Sequence, residues 1–314
     1  MHTHGLLKCL RPAALILTLI CGAALAEETV VDSAFGEVSV SGQAERVVTL
    51  YEAALDTALA VGANAVGAVI TRGGTDVADY IKSRAGDIAI VGTPRETNIE
   101  AVIAAQPDLI LAPAYTNEQQ YQLLSKIAPV VVSNVPPFQP DSWERETRLY
   151  ARAMGRGEAV EALIAQIGER IAEVKALVEA RIPEAQRDAI LIRWMPQGPL
   201  VMTKDVFSAT LLRAVGFNMH DNGLVKEGRP HSEPLSLENL SGMDENWIIL
   251  ATLNRDGEEA LAAARRSPAF SRLDAVANDR VISVSGQLWT SASGPLATLA
   301  ILDDIEAAVT AIQP

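Results

Sequence analysis

One long helical pattern in the middle of the chain, residues 158–181, most constrains how this sequence can fold. Its apolar residues recur at steps of three and four, which places them on one face of a helix. They are Val160, Leu163, Ile164, Ile167, Ile171, Val174, Leu177 and Val178. At 1.5 Å per residue the helix would extend about 35 Å, roughly the width of a small domain. The pattern predicts either an ordinary amphipathic helix or a rigid strut that joins two lobes.

Short runs of Val, Ile and Leu alternate with helical patterns on both sides of that helix. Before it, strands are predicted at residues 47–50, 65–70, 88–91, 109–111 and 130–133, and helices at 53–60, 77–83, 99–105 and 118–126. After it, strands are predicted at 189–194, 200–203, 247–251 and 281–284, and helices at 209–214, 258–266 and 295–312. A small hairpin is predicted from 29–32 and 38–41. Apolar runs without strict alternation are typical of parallel strands covered on both faces.

The predicted fold class is therefore α/β, with two Rossmann-like lobes joined by a single long backbone helix. A chain of 314 residues is long enough for two domains, and its hydrophobic content of 49% is ordinary for a packed protein. The lobes are predicted at residues 27–155 and 184–314, with the linking helix at 156–183.

The first 26 residues have the pattern of a cleavable signal peptide. Lys8 and Arg11 form a positive region, an apolar run follows, and residues 24–26 form a small-x-small cleavage site. The run is too short to span a bilayer, which takes about 20 apolar residues. A lipoprotein is the alternative, but bulky Ile20 precedes Cys21 where a lipidation site favours a small residue.

Charge and cysteine positions exclude several classes of protein. Both cysteines, Cys9 and Cys21, precede the predicted cleavage site, so an exported mature chain would have no disulfide and no catalytic thiol. The formal net charge is −13. So acidic a chain is poorly suited to binding nucleic acid or an anionic membrane through its overall charge.

Several different short motifs occur in a characteristic order along the two predicted lobes. They lie at residues 46–50, 66–67, 91–92, 98–102, 107–110, 126–129 and 236–240, and at Val281, Trp289, Gly294 and Pro295. In this order they resemble the periplasmic siderophore- and cobalamin-binding proteins that serve ATP-driven importers. The resemblance covers essentially the whole chain after the leader.

That resemblance implies a ligand cleft between the two lobes and only small opening and closing movements about the stiff helix. It implies reversible capture of a small-molecule iron chelate, a ferric siderophore, followed by delivery to an inner-membrane ABC permease dimer. The expected protein is a periplasmic monomer that is not an enzyme and has no cofactor and no metal bound directly by its side chains.

Two glutamates match the positions that contact the permease in the resembled family. Glu100 lies in the predicted first lobe and Glu238 in the second. Carboxylates on both lobes of a rigid body would pair with permease arginines and fix one docking orientation. Either could instead be an ordinary solvated glutamate, and Glu100 is near a helix start, where acids are favoured.

The expected ligand contacts are arginine and aromatic side chains in loops at the carboxyl ends of strands. Arginine suits an anionic chelate because its planar guanidinium makes charge-assisted hydrogen bonds, and aromatic rings pack on the ligand. The predicted set is Arg72, Arg95, Tyr115, Arg193, Trp194, Arg229, His231 and Trp289. Trp143 and Trp247 are predicted to be core residues.

Other ligands within the same fold stay open from the sequence. A protein that captures a bare metal ion needs several imidazoles, and after the leader only His220 and His231 remain. Haem would take one tyrosine ligand, for which Tyr115 or Tyr51 is available. Cobalamin is a further alternative, although the arginines favour an anionic chelate.

An enzyme and a sensor are the alternatives from other classes. The sequence has no G-x-S-x-G motif, no metal-hydrolase spacing and no phosphate-binding G-x-x-x-x-G-K-[ST] loop. A carboxylate-based hydrolase stays formally open because acids are abundant. A periplasmic sensor lobe would not associate with an importer.

Overall fold

The computed structural model describes residues 28–312. The predicted signal peptide at residues 1–26 lies outside the described residues. None of the helices within 28–312 combines the length and the apolar character that a membrane span requires.

Twelve strands and twelve helices build the described chain. The strands are β1 Glu28–Ser33, β2 Gly36–Ser41, β3 Val47–Thr49, β4 Ala65–Ala68, β5 Ala89–Ile90, β6 Leu109–Ala112, β7 Val130–Val132, β8 Asp188–Met195, β9 Gly198–Val201, β10 Asn218–His220, β11 Trp247–Thr252 and β12 Val281–Ser285. The helices are α1 Glu52–Ala60, α2 Asp79–Ala85, α3 Ile99–Ala105, α4 Glu118–Leu124, α5 Ser142–Ala153, α6 Gly157–Arg181, α7 Phe207–Ala214, α8 Arg255–Ala264, α9 Pro268–Ser271, α10 Asp274–Ala277, α11 Gly286–Thr290 and α12 Pro295–Thr310. Two 3-10 segments, Glu184–Gln186 and Leu237–Met243, complete the set.

The first lobe is a parallel five-stranded sheet in the order β5-β4-β3-β6-β7. Its central strand β3 is fully buried, as the apolar run at its position predicts. The predicted hairpin is present as antiparallel β1 and β2, and it packs its valines beside α5. Parallel strands place their carboxyl ends at one edge of the sheet, so the loops after β3, β4, β6 and β7 meet there.

The second lobe has its own sheet, in which β10, β8, β11 and β12 are parallel and β9 pairs antiparallel with β8. Strand β8 is the central strand and is buried along most of its length. The two-lobed α/β fold predicted from the sequence is confirmed. The lobe boundaries at residues 155 and 184 stay predictions, although the strands of the two sheets fall on opposite sides of α6.

Helix α6 is the predicted linking helix and supplies side chains to both cores. Val160, near its start, packs in the first lobe with residues such as Leu109. Val174 and Val178, near its end, pack in the second lobe with residues such as Leu191. Because one continuous helix is part of both cores, a change in the angle between the lobes has to bend or repack it.

A single carboxylate forms a second connection between the lobes. Asp56 on α1 has no exposed surface, and its oxygens accept the N–H groups of Leu296 and Ala297 at 2.9 and 2.8 Å. The hydroxyl of Tyr80 donates to the same carboxylate at 2.8 Å. The two N–H groups begin α12, which has no capping side chain of its own. An acid of the first lobe therefore caps a helix that packs in the core of the second.

The approach of Asp56 to α12 requires glycine at the preceding position. Gly294 has φ of 125°, and a Cβ there would lie 2.5 Å from Oδ1 of Asp56. Burial raises the pKa of Asp56 to about 7, although its hydrogen bonds oppose that shift. The cap therefore depends on close packing as well as on charge.

The main departures from the predicted elements lie in short or polar segments. Helix α5 was not predicted, although its buried residues Trp143, Thr147, Tyr150 and Ala151 recur at helical spacing, because polar and charged residues dominate its sequence. The strand β10 and the short helices α9 to α11 were also not predicted. Each of these has few residues, so local periodicity is too short to identify it.

Asp56→Ala is expected to lower the free energy of unfolding by about 3 kcal/mol, because three buried donors would lose their acceptor. Urea denaturation followed by circular dichroism at pH 7 measures the change. The matched control is Asp303→Ala, which removes an exposed partner of Arg170 and should cost less than about 1 kcal/mol. Similar losses for the two variants would contradict the importance of the cap.

Candidate functional site

A cavity of about 500 Å³ lies between the two lobes. The first lobe lines it with the junction of β3 and α1, the loops after β4 and β6, and the segment from β7 into α5. The second lobe lines it with β8, the segment from β9 into α7, and residues 289–293 beyond β12. This is the position expected for a ligand site at the carboxyl ends of parallel strands.

Two arginines from opposite lobes face this cavity. Arg193, on central strand β8, is only 5% exposed, and its Nε has no hydrogen-bond partner within the described residues. Arg72 follows β4 in the first lobe. Burial, and then the nearby charge of Arg72, lower the pKa of Arg193 to about 10. Within residues 28–312 neither side chain joins a salt bridge.

The loop that carries Arg72 lies against the second lobe. Gly73 has φ of +78°, and a Cβ there would lie 3.1 Å from the side chain of Leu253. The backbone N–H of Arg72 donates to Oε1 of Glu52 at 2.9 Å, and the Thr71 hydroxyl donates to the same oxygen. These contacts fix the loop on both sides, so the guanidinium of Arg72 extends from a supported backbone.

Aromatic rings line the cavity from both lobes. Tyr115, 63% exposed, packs edge-to-face on Tyr51 with ring centroids 6.2 Å apart, and its hydroxyl donates to the carbonyl oxygen of Pro94. Trp143 on α5 makes an edge-to-face contact with Phe207 on α7, also at 6.2 Å. Trp143 is buried as predicted, but its contact with the other lobe and its place in the cavity wall were not predicted.

Two more predicted residues, His231 and Trp289, also line the cavity. His231 is half-buried, and its Nδ1 lies 2.7 Å from the carbonyl oxygen of Ser232. Trp289 is 2% exposed and donates its indole N–H to Oδ2 of Asp304 at 2.8 Å. The hydrogen bond to α12 therefore fixes the orientation of the Trp289 ring in the cavity wall.

Trp194 was wrongly placed in the cleft by the sequence prediction. Its side chain is buried in the core and packs edge-to-face on Phe270 at 5.9 Å. Successive side chains of a strand point to opposite faces of the sheet. Arg193 and Trp194 are neighbours in β8, so when Arg193 faces the cavity Trp194 faces the opposite layer.

Two predicted arginines lie outside the cavity wall. Arg95 and Arg229 are both exposed, and neither is among the lining residues. Their neighbours Pro94 and Pro230 line the cavity instead. Each predicted arginine is thus one position away along the chain from a residue that reaches the site.

The sequence analysis missed three carboxyl groups in the wall, Glu52, Glu146 and Asp205, of which Asp205 pairs with Arg213. Glu52 at the start of α1 and Glu146 on α5 are both half-buried and line the cavity. Burial raises the pKa of Glu52 above its usual value and raises the pKa of Glu146 to about 7. Acids are not an obvious choice beside an anionic ligand, so residue type alone gave no reason to select them.

The two predicted docking glutamates lie on the surface of different lobes. Glu100 is exposed in the first turn of α3, where Asn98 caps the helix by accepting the N–H of Ala101 at 3.0 Å. Glu238 is exposed in the 3-10 segment Leu237–Met243. Within the described part of the chain neither carboxylate joins a salt bridge. Both are thus accessible to a partner.

The histidines considered for direct metal binding are separated. His220 lies at the end of β10, where its Nε2 is 3.1 Å from Oδ1 of Asp188. The ligating atoms of Asp188, His220 and Glu245 lie within 4.8 Å of one another, at the amino end of β8 and away from the cavity. Among the described residues that line the cavity, His231 is the one histidine.

A model of the periplasmic binding protein family matches residues 47–288 of this chain. The chain belongs to the periplasmic binding protein family. The match runs from β3 through β12 into α11, so it includes both five-stranded sheets and α6.

The names of several similar proteins refer to siderophores or to ferric citrate. The probable siderophore-binding lipoprotein YfiY of Bacillus subtilis (strain 168) is 25% identical over 276 residues, covering 85% of this chain and 83% of YfiY. The Fe(3+)-citrate-binding protein YfmC of the same organism is 26% identical over 266 residues, covering 82% and 79%. The crystal structure of Staphylococcus aureus SirA complexed with staphyloferrin B superposes with a TM-score of 0.78 at 26% identity, covering 90% of this chain and 98% of SirA.

Arg193→Met is expected to raise the free energy of unfolding by about 1–3 kcal/mol, because it replaces a buried charge without a partner by an apolar side chain of similar length. Urea denaturation without ligand measures the change. The control is Arg213→Met, which breaks the ion pair with Asp205 and should not raise stability. A clear loss of stability in Arg193→Met would contradict the assignment of Arg193 as an uncompensated charge.

Proposed function

We propose that this protein captures a ferric siderophore in the periplasm and delivers it to an inner-membrane ABC permease dimer. The chelate binds reversibly between the lobes of a monomer. The protein needs no cofactor of its own and catalyses no reaction. The observation that carries this proposal is the pair of guanidinium groups, Arg72 and Arg193, that line the interlobe cavity from opposite lobes without a salt bridge among the described residues.

An anionic, oxygen-rich ligand would satisfy both arginines together. Leaving the buried guanidinium of Arg193 without a partner is unfavourable, and a charge-assisted hydrogen bond to a ligand oxygen offsets that cost. Arg72 is exposed, and the same ligand would give its guanidinium an anionic partner. Because the two groups belong to different lobes, one anion that contacts both would also hold the lobes together. The cavity volume of about 500 Å³ is within the usual range for a small-molecule site.

The aromatic wall supports an organic chelate rather than a simple anion. Tyr51, Tyr115, Trp143 and Phe207 present apolar rings to the cavity, which would pack on the carbon skeleton of a siderophore. The names of YfiY, YfmC and the SirA complex, which refer to siderophores and ferric citrate, support an iron chelate.

Haem and cobalamin are less well supported. A haem iron held by tyrosine favours the phenolate, whereas burial raises the pKa of both Tyr51 and Tyr115. The hydroxyl of Tyr115 is also engaged with the carbonyl oxygen of Pro94. For cobalamin, the pair of guanidinium groups is less suitable than for a ferric siderophore with several anionic oxygens.

Delivery to the permease is proposed to use Glu100 and Glu238. Each lies a short distance along the chain from a cavity-lining residue, Pro94 in the first lobe and His231 in the second. Docking through both lobes would therefore place the permease close to the cavity. Exposed carboxylates contribute roughly 0–1 kcal/mol each, so their main effect would be on orientation and association rate.

Arg72→Met and Arg193→Met are each expected to weaken binding of a ferric citrate-type siderophore at least tenfold, since each removes a charge-assisted hydrogen bond of about 1.5–3 kcal/mol. Quenching of tryptophan fluorescence measures the affinity, because Trp143 and Trp289 line the cavity. Haem and cobalamin are titrated in parallel.

The matched control for both variants is Arg255→Met, since Arg255 is exposed and pairs with Glu259 outside the cavity. It should bind the chelate as the wild type does. Unchanged affinity in both cavity variants, or quenching by haem or cobalamin alone, would overturn the proposed ligand.

The double variant Glu100→Ala, Glu238→Ala is expected to bind the chelate normally and to lose uptake in cells that depend on this protein. Fluorescence titration and transport of radioactive iron separate the two properties. Glu158→Ala, an exposed glutamate at the start of α6, is the control. Normal uptake by the double variant would remove the docking role.

A further inference from the structure

Glu146 is an acid in the wall of the cavity without a cationic partner. It projects from α5, one turn after Trp143, and is half-buried. It takes part in no salt bridge within residues 28–312, although Glu144 on the same helix pairs with Arg148. An ionised carboxylate in such a place would carry an uncompensated charge toward an anionic ligand.

Burial favours the neutral form of Glu146 more than its hydrogen bonds favour the carboxylate. The Tyr150 hydroxyl donates to the carbonyl oxygen of Ala112 at 2.9 Å, so its contact with Oε1 of Glu146, at 3.5 Å, is at the limit of a hydrogen bond. The hydroxyl of Ser133 is the other donor near Glu146. Burial raises the pKa of Glu146 to about 7, although these two hydroxyl groups lower it.

The charges that face Glu146 across the cavity make its protonation state important. The groups that face Glu146 from α1 and the nearby loops are Glu52, Arg72 and the neutral phenols of Tyr51 and Tyr115. The group that faces it from β8 is Arg193. Asp205 is neutralised by Arg213 at 2.9 Å, and His231 completes the wall. With both glutamates ionised, their charges would cancel those of the two arginines. With Glu146 protonated, the cavity keeps a net positive charge.

We propose that Glu146 meets the anionic chelate as a neutral carboxylic acid and donates a hydrogen bond to one of the chelate oxygens. The inference rests on the proposed capture of a ferric siderophore and adds a residue that selects for acceptor-rich, anionic ligands. The proton stays on the carboxyl group throughout, and no covalent bond forms or breaks in the ligand. Where Glu146 is ionised before binding, capture takes up one proton from solvent.

The sign of the pH dependence follows from this proton. The complex requires the protonated acid, whose pKa is about 7 in the free protein. Below that pH the acid is already protonated and affinity is unaffected. As the pH rises above it, the apparent affinity of the wild type falls toward tenfold per pH unit. Glu146→Gln keeps a donor of similar shape and removes the titration.

The test is fluorescence titration with ferric citrate at pH 6, 7 and 8 for the wild type, Glu146→Gln and Glu146→Ala. The ratio of dissociation constants, wild type over Glu146→Gln, cancels changes in the chelate itself. We expect a ratio that rises about tenfold between pH 6 and pH 8. Glu146→Ala, without a donor, should bind more weakly than Glu146→Gln at every pH.

Glu144→Gln is the matched control, because it changes the same helix at a residue outside the cavity, and its ratio to the wild type should be constant with pH. Circular dichroism verifies that each variant is folded. If one Glu146 variant does not fold, the pH dependence of the other relative to the wild type is the test. A constant ratio for Glu146→Gln, or equal binding by the two Glu146 variants, would overturn the role of the neutral acid. Failure of the wild type to bind any ferric chelate would instead overturn the capture function itself.

Discussion

The cap that Asp56 places on α12 determines how the two lobes meet. A buried acid of one lobe accepts the first free N–H groups of a helix in the other, and Gly294 gives it the room to do so. The residues immediately before that helix, 290–293, line the cavity. The first lobe therefore holds part of the second lobe's binding surface in place, so the shape of the site depends on an interaction outside it.

Charge inside the cavity is arranged differently from charge on the rest of the molecule. The chain as a whole is strongly acidic, with a formal net charge of −13. The cavity nevertheless concentrates two arginines, and burial shifts the neighbouring carboxyl groups toward their neutral forms. A low local dielectric strengthens the attraction of the guanidinium groups for an anion. A local site can thus oppose the field of the whole protein.

The fold was largely predictable because its signals are long or repeated. The stripe along α6 and the unbroken apolar runs such as 109–111 reflect burial that any sequence with this architecture must have. The site was only partly predictable. Strand position identified Arg193, yet strand alternation, had it been applied to its neighbour, would have excluded Trp194. Glu146 and Asp56 could not be found, because their roles depend on contacts with residues distant in sequence and on burial that raises their pKa values.

The lobes are held together by the continuous helix α6 and also by contacts that do not depend on chain continuity, among them those of α12 with Asp56 and with α6 itself. A short 3-10 segment, Glu184–Gln186, lies in the chain that connects the end of α6 at Arg181 to the start of β8. A backbone break in that segment would separate the polypeptide into two pieces without separating the lobes. The protein is thus suited to reassembly from two fragments, with α6 on one and α12 on the other.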